Sequence, residues 1–310
     1  MLRARGLNAG RRSRCFNPGM KPLPTFYLSH GSPMTALEPR EAGAFMQQLG
    51  PAIEAEFGRP KAILVASAHT LTREPALLAA PRQNAVYDFG GFDPRLRTLR
   101  YDAPGSPALA ARVAGLVQRA GMPVHLLREG GLDHGIWTPL RYMFPQADIP
   151  VLPLGWPPTW SADRLFALGQ ALAPLTGEGV LVLGSGSITH NLQRVFGGSG
   201  AVAVDAPATP ESTAFRDWFS SHAAAADWPA LLGWETGAPH ARLMHPSSEH
   251  LLPFFVAAGA AGAGPGARVH ASLSFGDLGM DAYAFGAWGQ QPPPGAAAWG
   301  IAQNRAAASL

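Results

Sequence analysis

The fold is decided by two short stretches of the same form. One is Ala62-Ile63-Leu64-Val65-Ala66-Ser67-Ala68-His69, an apolar run that ends in a histidine. The other is Phe26-Tyr27-Leu28-Ser29-His30, which Gly31-Ser32-Pro33 follows. Apolar runs of this length, bounded by proline and polar residues, are typical of buried strands. Because open α/β sheets bind ligands at the carboxyl ends of their strands, we expect His30 and His69 to converge, where two imidazoles can share one metal ion.

Strands and helices alternate along the rest of the chain. The pattern predicts helices at 40–57, 106–120, 161–175, 211–225 and 249–258, and strands at 61–67, 123–127, 149–154, 179–183 and 269–275. The second helix has a serine at its N-cap and a proline at its first position, which is a strong start signal. This alternation predicts an α/β fold: a single domain with a central, largely parallel or mixed β-sheet flanked by helices.

The composition is typical of a globular protein. Of its 310 residues, 47% are apolar and 15% are charged, which is too apolar for a disordered chain. No apolar run reaches the roughly 18 residues that a membrane span needs. Beyond residue 21 the chain holds 18 basic against 21 acidic residues, so the body has no basic footprint for nucleic acid. We therefore expect neither a nucleic-acid partner nor a membrane partner.

The first 21 residues differ from the rest. They contain six basic residues, no acidic residue and no apolar segment of a secretory signal, so a transit-like segment or a start at Met20 explains them. We expect 1–21 to be a disordered extension, 22–286 to be the folded domain and 287–310 to be a flexible tail. The only cysteine is Cys15. The body therefore fits a cytoplasmic protein, and any metal ion in it needs histidine and oxygen ligands.

Five of the ten histidines stand beside glycine or serine at predicted element ends or turns. They are His30, His69, His134, His190 and His250. Four others lack such surroundings and are expected to be structural: His125, His222, His240 and His270. The tenth, His245, precedes a proline and is intermediate between the two groups.

The residue types leave two ligand sets open. Two histidines and one carboxylate form the facial triad of non-haem iron oxygenases, which His30, His69 and Glu249 could supply. An all-histidine set would use His250 instead. Adjacent residues on a helix point about 100° apart, so only one of Glu249 and His250 is expected to face the metal ion.

Other motifs exclude some chemistry. Gly184-Ser185-Gly186-Ser187 lacks the lysine of a P-loop, the third glycine of a dinucleotide site and the nucleophile-elbow pattern. We expect its small residues to let the backbone pass near a substrate and to position His190. Asp88-Phe89-Gly90-Gly91-Phe92 is either a structural hairpin or a loop over an aromatic substrate. Three tryptophans are expected in the core, namely Trp137, Trp156 and Trp160.

The motifs also carry a family resemblance. Eight of them occur in order at 28–34, 67–69, 87–92, 101–107, 131–137, 147–151, 184–192 and 249–253. Together they resemble the 4,5-DOPA extradiol dioxygenase family, the class III (LigB-type) extradiol ring-cleavage enzymes. The likeness runs from about residue 23 to 286, and the order of the motifs makes it specific. It implies a single α/β catalytic domain at 22–286 with one divalent metal ion, Fe(II) for ring cleavage or Zn(II).

The resemblance also implies roles for the histidines. His30 and His69 match metal ligands, and His250 matches a further ligand, with Glu249 as the acidic alternative. His190 matches a residue that is a ligand in one branch and an acid–base group in the wider class, so both roles are kept. His134 matches a catalytic histidine that faces the substrate.

The implied activity is the insertion of both atoms of dioxygen into a catechol, DOPA-like or a related aromatic, in aromatic compound catabolism. One departure bears on the substrate: Thr70 stands where bacterial relatives usually have tryptophan, which removes an apolar wall beside the site. Two alternatives are a zinc-dependent hydrolase on the same scaffold and a non-catalytic metal-binding protein. The sequence gives no oligomeric state.

Overall fold

A central mixed sheet organises the protein in a computed structural model, which describes residues 21–198 and 202–291. The strands in these residues are β1 (Thr25–Ser29), β2 (Ala62–Leu71), β3 (Ala76–Leu78), β4 (Arg82–Gln83), β5 (Ala103–Pro104), β6 (His125–Leu127), β7 (Val151–Trp156), β8 (Val180–Gly186), β9 (Gly266–His270), β10 (Leu273–Ser274), β11 (Leu278–Gly279) and β12 (Ala282–Phe285). The helices are α1 (Arg40–Phe57), α2 (Pro107–Arg119), α3 (His134–Met143), α4 (Ala162–Leu172), α5 (Leu192–Phe196), α6 (Pro210–Ala224), α7 (Trp228–Leu232), α8 (Trp234–Gly237), α9 (Ala241–Met244), α10 (Pro253–Ala260) and α11 (Ala287–Gln290).

The main sheet has eight strands in the order β6-β3-β7-β2-β8-β1-β12-β9. Its centre is parallel, because β8 pairs in parallel with both β1 and β2, and β2 pairs in parallel with β7. Antiparallel pairs occur towards the two ends, where β12 joins β1 and β9 and where β3 joins β7. This architecture confirms the predicted α/β domain with a mixed sheet flanked by helices.

Both faces of the central strands are covered. In β2, Ala62 and Leu64 belong to the apolar core on one face, and Ile63 and Val65 belong to the core on the other. Successive side chains of a strand point to opposite faces. A strand buried on both faces therefore appears in the sequence as a continuous apolar run, as 62–66 does.

Close helix packing covers one of those faces. α10 lies against α4, and glycines stand at the contact: a Cβ atom built on Gly259 would lie 2.2 Å from the carbonyl oxygen of Phe166. A Cβ atom on Gly169 would lie 2.3 Å from the carbonyl oxygen of Val256. The two backbones approach at a distance that only glycine allows.

Several predicted elements have different bounds in the structure. The helices at 40–57, 106–120 and 211–225 are confirmed within one or two residues, whereas α4 ends at Leu172 and a 3₁₀ helix (Ala173–Glu178) follows it. β2 continues to Leu71, so His69 lies inside the strand and not after it. The predicted helix at 249–258 begins only at Pro253, because proline favours the first turn of a helix. The predicted strand at 269–275 is divided between β9 and β10.

Helix α3 was not predicted, because Pro139 interrupts its pattern. Near the C-terminus, α11 occupies the first residues of the segment expected as a tail, and its buried Trp288 donates to Glu56 Oε2 at 2.8 Å. Residues 292–310 lie outside the described residues, as do residues 1–20. No helix among residues 21–198 and 202–291 combines the length and hydropathy needed to cross a bilayer.

Replacing Gly259 by alanine is expected to separate α10 from α4 and to lower the free energy of unfolding by about 1–3 kcal/mol, the usual cost of overpacking. Gly177→Ala is the matched control, because nothing lies within 4 Å of the Cβ atom it would add. Urea denaturation of both variants measures the difference. Equal free energies of unfolding for the two variants would contradict the packing argument.

Candidate metal centre

Strand register brings His30 and His69 together. Ser185 of β8 lies opposite Leu28 of β1 and opposite Ser67 of β2. His30 comes two residues after Leu28, and His69 comes two residues after Ser67. Both histidines therefore lie at the same level, at the carboxyl end of the sheet. Their Nε2 atoms lie 3.1 Å apart. Two imidazole nitrogens that each bind one ion at about 2.1 Å lie about 3 Å apart, so this pair fits a shared metal ion.

His250 completes a triangle with this pair. Its ring centroid lies 5.5 Å from that of His30 and 5.0 Å from that of His69, and the His30–His69 centroid distance is also 5.0 Å. The three rings are therefore nearly equally spaced. Such spacing fits three ligands on one face of a metal ion.

Two hydrogen bonds hold the backbone of His250 in place. Its carbonyl oxygen accepts from the Tyr27 hydroxyl at 2.7 Å and from the backbone N–H of Ser187 at 2.9 Å. A Cβ atom on Gly186 would lie 1.9 Å from that same oxygen, so only glycine leaves room for the turn. Because this turn precedes α10, Glu249 and His250 do not lie on a helix, and the predicted helical placement of these two residues is wrong.

His134 and His190 lie next to different members of the triangle. The His134 ring lies 4.1 Å from that of His69 and 5.3 Å from that of His30. The His190 ring stacks on that of His250, at 3.4 Å and an interplanar angle of 9°. All five histidines that the sequence singled out therefore form one cluster.

Ligand atoms within this cluster form two separate groups. Those of His30, His69 and His134 lie within 4.8 Å of one another, and so do those of His190, Glu249 and His250. The triangle takes two members from the first group and one from the second. The side chains that could hold a metal ion are thus the five histidines and Glu249, and the ring centroids of the triangle are evenly spaced.

Hydrogen bonds at Nδ1 fix the ring orientation of two triangle members, His30 and His250. His30 Nδ1 lies 3.0 Å from Ser185 Oγ, whose hydroxyl donates to the carbonyl oxygen of Gly135. Because the Ser185 hydroxyl donates its proton to Gly135, its oxygen accepts from His30. Nδ1 of His30 therefore carries the proton, and Nε2 keeps its lone pair. His250 Nδ1 lies 3.0 Å from Glu249 Oε1, which only accepts. Outer partners of this kind commonly orient metal-binding histidines.

Glu249 is therefore engaged with the back of His250. The hydrogen bond from His250 is the largest cause that lowers the pKa of Glu249 to about 2. The carboxylate stays ionised and adds negative charge behind the imidazole. In this arrangement the Glu249 carboxylate is hydrogen-bonded to Nδ1 of His250.

Two aspartates lie behind the cluster on its other side. Asp88 accepts from both the backbone N–H and the Nδ1 of His134, each at 3.0 Å. Asp133 is buried and accepts from Ser67 Oγ at 2.7 Å and from the Thr70 hydroxyl at 2.5 Å. Burial raises the pKa of Asp133 despite these hydrogen bonds. Thr70, noted in the sequence as a lost apolar wall, thus supplies a hydrogen bond to a buried carboxyl group.

Burial keeps three imidazoles of the cluster neutral. It is the largest cause that lowers the pKa of His30 well below 6.5, and the neighbouring histidines add to it. The pKa values of His69 and His190 fall to about 3, again with burial as the largest cause. Neutral imidazoles offer lone pairs, which is the form that binds a metal ion.

Aromatic side chains border the cluster beside His134. The ring of Phe89 lies 5.8 Å from that of His134 and 6.4 Å from that of Trp137. Phe92 follows at 5.8 Å from Phe89 and is 42% exposed. Of the two interpretations of this motif, the structure supports the loop beside the cluster, because 88–92 forms no strand.

The remaining histidines lie outside the cluster, as expected. His125 and His222 pair with Glu74 and Asp227 near the surface. His240 caps α9, and His270 stacks on Phe45. The intermediate case, His245, is buried and donates from Nε2 to the carbonyl oxygen of Ile188 at 2.9 Å. The three tryptophans expected in the core are all buried, which confirms that prediction.

The sequence analysis did not assign roles to Ser67, Asp88, Asp133 or Ser185. Asp88 and Asp133 stand inside quoted motifs, and Asp133 directly precedes His134, so proximity to a candidate histidine was the available signal. Their partners are distant in the chain, 46 residues for Asp88 with His134 and 66 for Asp133 with Ser67. Such pairings have no local pattern.

Comparisons with known proteins identify the family of the chain. The model of the family described as the catalytic LigB subunit of aromatic ring-opening dioxygenase matches residues 24–286. A 4,5-DOPA dioxygenase extradiol of Beta vulgaris is 39% identical over 264 residues, covering 84% of this chain and 96% of the relative. Its counterpart in Escherichia coli K12 is 36% identical, covering 77% and 85%. An uncharacterized E. coli K12 protein of known structure superposes with a TM-score of 0.65 at 29% identity, covering 85% of this chain and all of that one.

Removing one imidazole from the triangle is expected to weaken metal binding. His69→Ala should lower the affinity for a divalent ion by more than about 100-fold, beyond the usual cost of losing an outer partner. His125→Ala, which removes an exposed histidine outside the cluster, should bind as the wild type does. Metal content after dialysis and titration calorimetry measure both. One ion per chain in His69→Ala at unchanged affinity would place the ion elsewhere.

Acid is expected to destabilise the protein partly through His245, whose pKa burial lowers to about 4. Below pH 6.5 His245 binds a proton in the unfolded chain, whereas it stays neutral in the folded chain until the pH nears 4. The free energy of unfolding therefore falls as pH falls. His245→Gln should flatten that decline between pH 6.5 and 5 by up to about 1.4 kcal/mol per pH unit. Urea denaturation across this range tests it, with His125→Gln as control. Identical slopes in wild type and His245→Gln would refute the assignment.

Proposed function

The chain belongs to the LigB family of aromatic ring-opening dioxygenases, and from this premise we propose that it is an extradiol enzyme, which opens a catechol with dioxygen at one divalent metal ion. The observation that carries the proposal is the triangle of imidazoles at the carboxyl end of the sheet. We assign its catalytic domain to 22–286. A cytoplasmic location and a role in the breakdown of aromatic compounds belong to the same proposal.

The ligand set we favour is His30, His69 and His250. Nδ1 of His30 and Nδ1 of His250 are engaged from behind, so their Nε2 atoms are free for an ion. The set is all nitrogen, with no thiolate in the domain, and suits Fe(II) or Zn(II). For ring opening we propose Fe(II), which would supply open positions for the two catechol oxygens and for dioxygen, and electron transfer between them.

His190 is proposed to take a phenolic proton from the catechol. It stacks on His250 and is anchored by a hydrogen bond from its backbone N–H to the carbonyl oxygen of Met244 at 2.9 Å. Its neutral imidazole has a lone pair to accept the proton as the catechol binds. The alternative role, a fourth ligand, uses the same lone pair, so the two roles exclude each other at any one moment.

His134 is proposed as the second catalytic group. It lies beside His69, whereas His190 stacks on His250, so the two histidines can act at different positions of one substrate. One of them removes a proton and the other returns a proton to a departing oxygen. Both atoms of dioxygen and all carbons of the ring then leave together in an open-chain semialdehyde acid, so atoms balance without a further reductant.

Aromatic neighbours make the site suitable for a flat substrate. Phe89 and Phe92 stand beside His134, and offset or edge-to-face contacts between rings add to the affinity. A catechol, DOPA-like or simpler, offers both the ring for this wall and the two oxygens for the metal ion. This supports a small aromatic diol and dioxygen as the substrates.

Loading the protein with Fe(II) without oxygen, and then adding DOPA, protocatechuate or catechol in an oxygen electrode, is expected to give dioxygen uptake and a yellow product. His190→Ala should lower kcat by about 100-fold or more, since positioned acid–base groups contribute on that scale. His222→Ala is the control, because that histidine pairs with Asp227 outside the site.

Two outcomes would count against the proposal. Fe(II)-loaded protein that leaves every catechol intact would exclude ring opening of the compounds tested. Zinc-loaded protein that hydrolyses esters or amides without consuming dioxygen would instead identify the hydrolase alternative.

A further inference from the structure

The least expected contact in the site is the one between Asp88 and His134. We propose that Asp88 is a positioning residue, which fixes the tautomer and orientation of His134 so that Nε2 faces the metal centre. The catalytic consequence rests on the proposed function, in which His134 acts on the substrate. The positioning itself depends only on the contacts described here.

The hydrogen bonds determine where the proton of His134 resides. Both carboxylate oxygens of Asp88 lie 3.0 Å from His134 Nδ1. Asp88 Oδ1 also accepts from the backbone N–H of His134, so the carboxyl group acts as an acceptor towards this residue. A carboxylate only accepts, so Nδ1 must carry the proton. In the tautomer with its proton on Nδ1, the lone pair lies on Nε2, the nitrogen on the far side of the ring.

The same carboxylate also holds the backbone. His134 is the first residue of α3, and the first N–H groups of a helix have no partner within it. Asp88 Oδ1 accepts from the His134 backbone N–H at 3.0 Å, so it caps the helix from a distant loop. Side chain and backbone of His134 are thus fixed by one group. Both rotation of the ring and displacement of the helix end would break these bonds.

Nearby groups do not compete for this role. Asp133 is next to His134 in the chain, but its two oxygens accept from Ser67 and Thr70, and it makes no cap hydrogen bond. His69 Nδ1 lies 3.8 Å from Asp88 Oδ2, which is too long for a hydrogen bond. His134 is therefore the side chain to which Asp88 is bound.

The loop that carries Asp88 is held by two hydrogen bonds at the residues just before it. Trp137 Nε1 donates to the carbonyl oxygen of Val86 at 3.0 Å, and the Tyr87 hydroxyl donates to the carbonyl oxygen of Leu99 at 2.6 Å. Trp137 lies one turn after His134 on α3, so loop and helix are joined at two successive turns. Asp88 therefore moves with α3, and its distance to His134 is maintained.

The direct test measures the tautomer of His134 by long-range proton–nitrogen NMR on zinc-loaded protein with labelled histidine, with His134→Asn assigning the signal. In the wild type we expect a protonated Nδ1 and a bare Nε2. Asp88→Asn should shift the proton to Nε2 or produce a mixture, since an amide both donates and accepts. The matched control is Asp227→Asn, which changes the same pair type at His222, outside the site.

Kinetics provide the second arm. With Fe(II) bound, Asp88→Asn should lower kcat by about 100-fold while KM for the catechol changes by less than about 3-fold, because only the acid–base group is misplaced. Asp227→Asn should match the wild type. Metal content should stay the same in all three proteins.

The outcomes distinguish the positioning role of Asp88 from the proposed function. A wild-type His134 with its proton on Nε2, or an Asp88→Asn variant with unchanged tautomer, overturns the positioning role whatever the activity. A lower melting temperature with an unchanged tautomer would reduce Asp88 to a structural cap and overturns it equally. If the tautomer behaves as expected but no catechol is consumed, the positioning role stands and the proposed function fails.

Discussion

The parallel pairing of β1 and β2 with β8 is the constraint on which the site depends. It places Leu28, Ser185 and Ser67 in one row across the sheet, and the two histidines that follow reach the same level. A shift of one residue in either pairing would turn a histidine to the opposite face, because side chains alternate along a strand. The buried apolar residues on both faces oppose such a shift. Packing of the core therefore maintains the spacing of the candidate ligands.

Around the imidazoles, a second layer of acceptors turns each ring inward. Ser185 engages His30, Glu249 engages His250, and Asp88 engages His134, each at Nδ1. The carboxyl groups of Asp88, Asp133 and Glu249 surround the cluster. Burial lowers the pKa of several imidazoles within it and keeps them neutral, namely those of His30, His69 and His190. A dication enclosed by neutral ligands leaves charge uncompensated, and these carboxylates offset it. The arrangement supports metal binding more strongly than the histidines alone do.

Local patterns predicted some features and missed others for identifiable reasons. The apolar run at 62–66 predicts a buried strand, but it does not show that β2 continues through His69 to Leu71. The first turn of α10 was misplaced because the turn at His250 is held by Tyr27 and Ser187, which are distant in sequence. Helix α3 was missed because Pro139 breaks its pattern, although its neighbours in the core stabilise it. In each case a tertiary contact overrides the local preference.

The sequence by itself determined the fold class, the five histidines of the cluster and the family resemblance, because strand periodicity and short motifs are local properties. It left open whether Glu249 or His250 faces the centre, and it gave no role to Asp88, Asp133 or Ser185. Only the tertiary structure decided that Glu249 lies behind His250, and that Asp88 lies behind His134. The physical reason is that a hydrogen bond between side chains 46 residues apart depends on strand register and loop path. Neither is encoded in any single stretch of the chain.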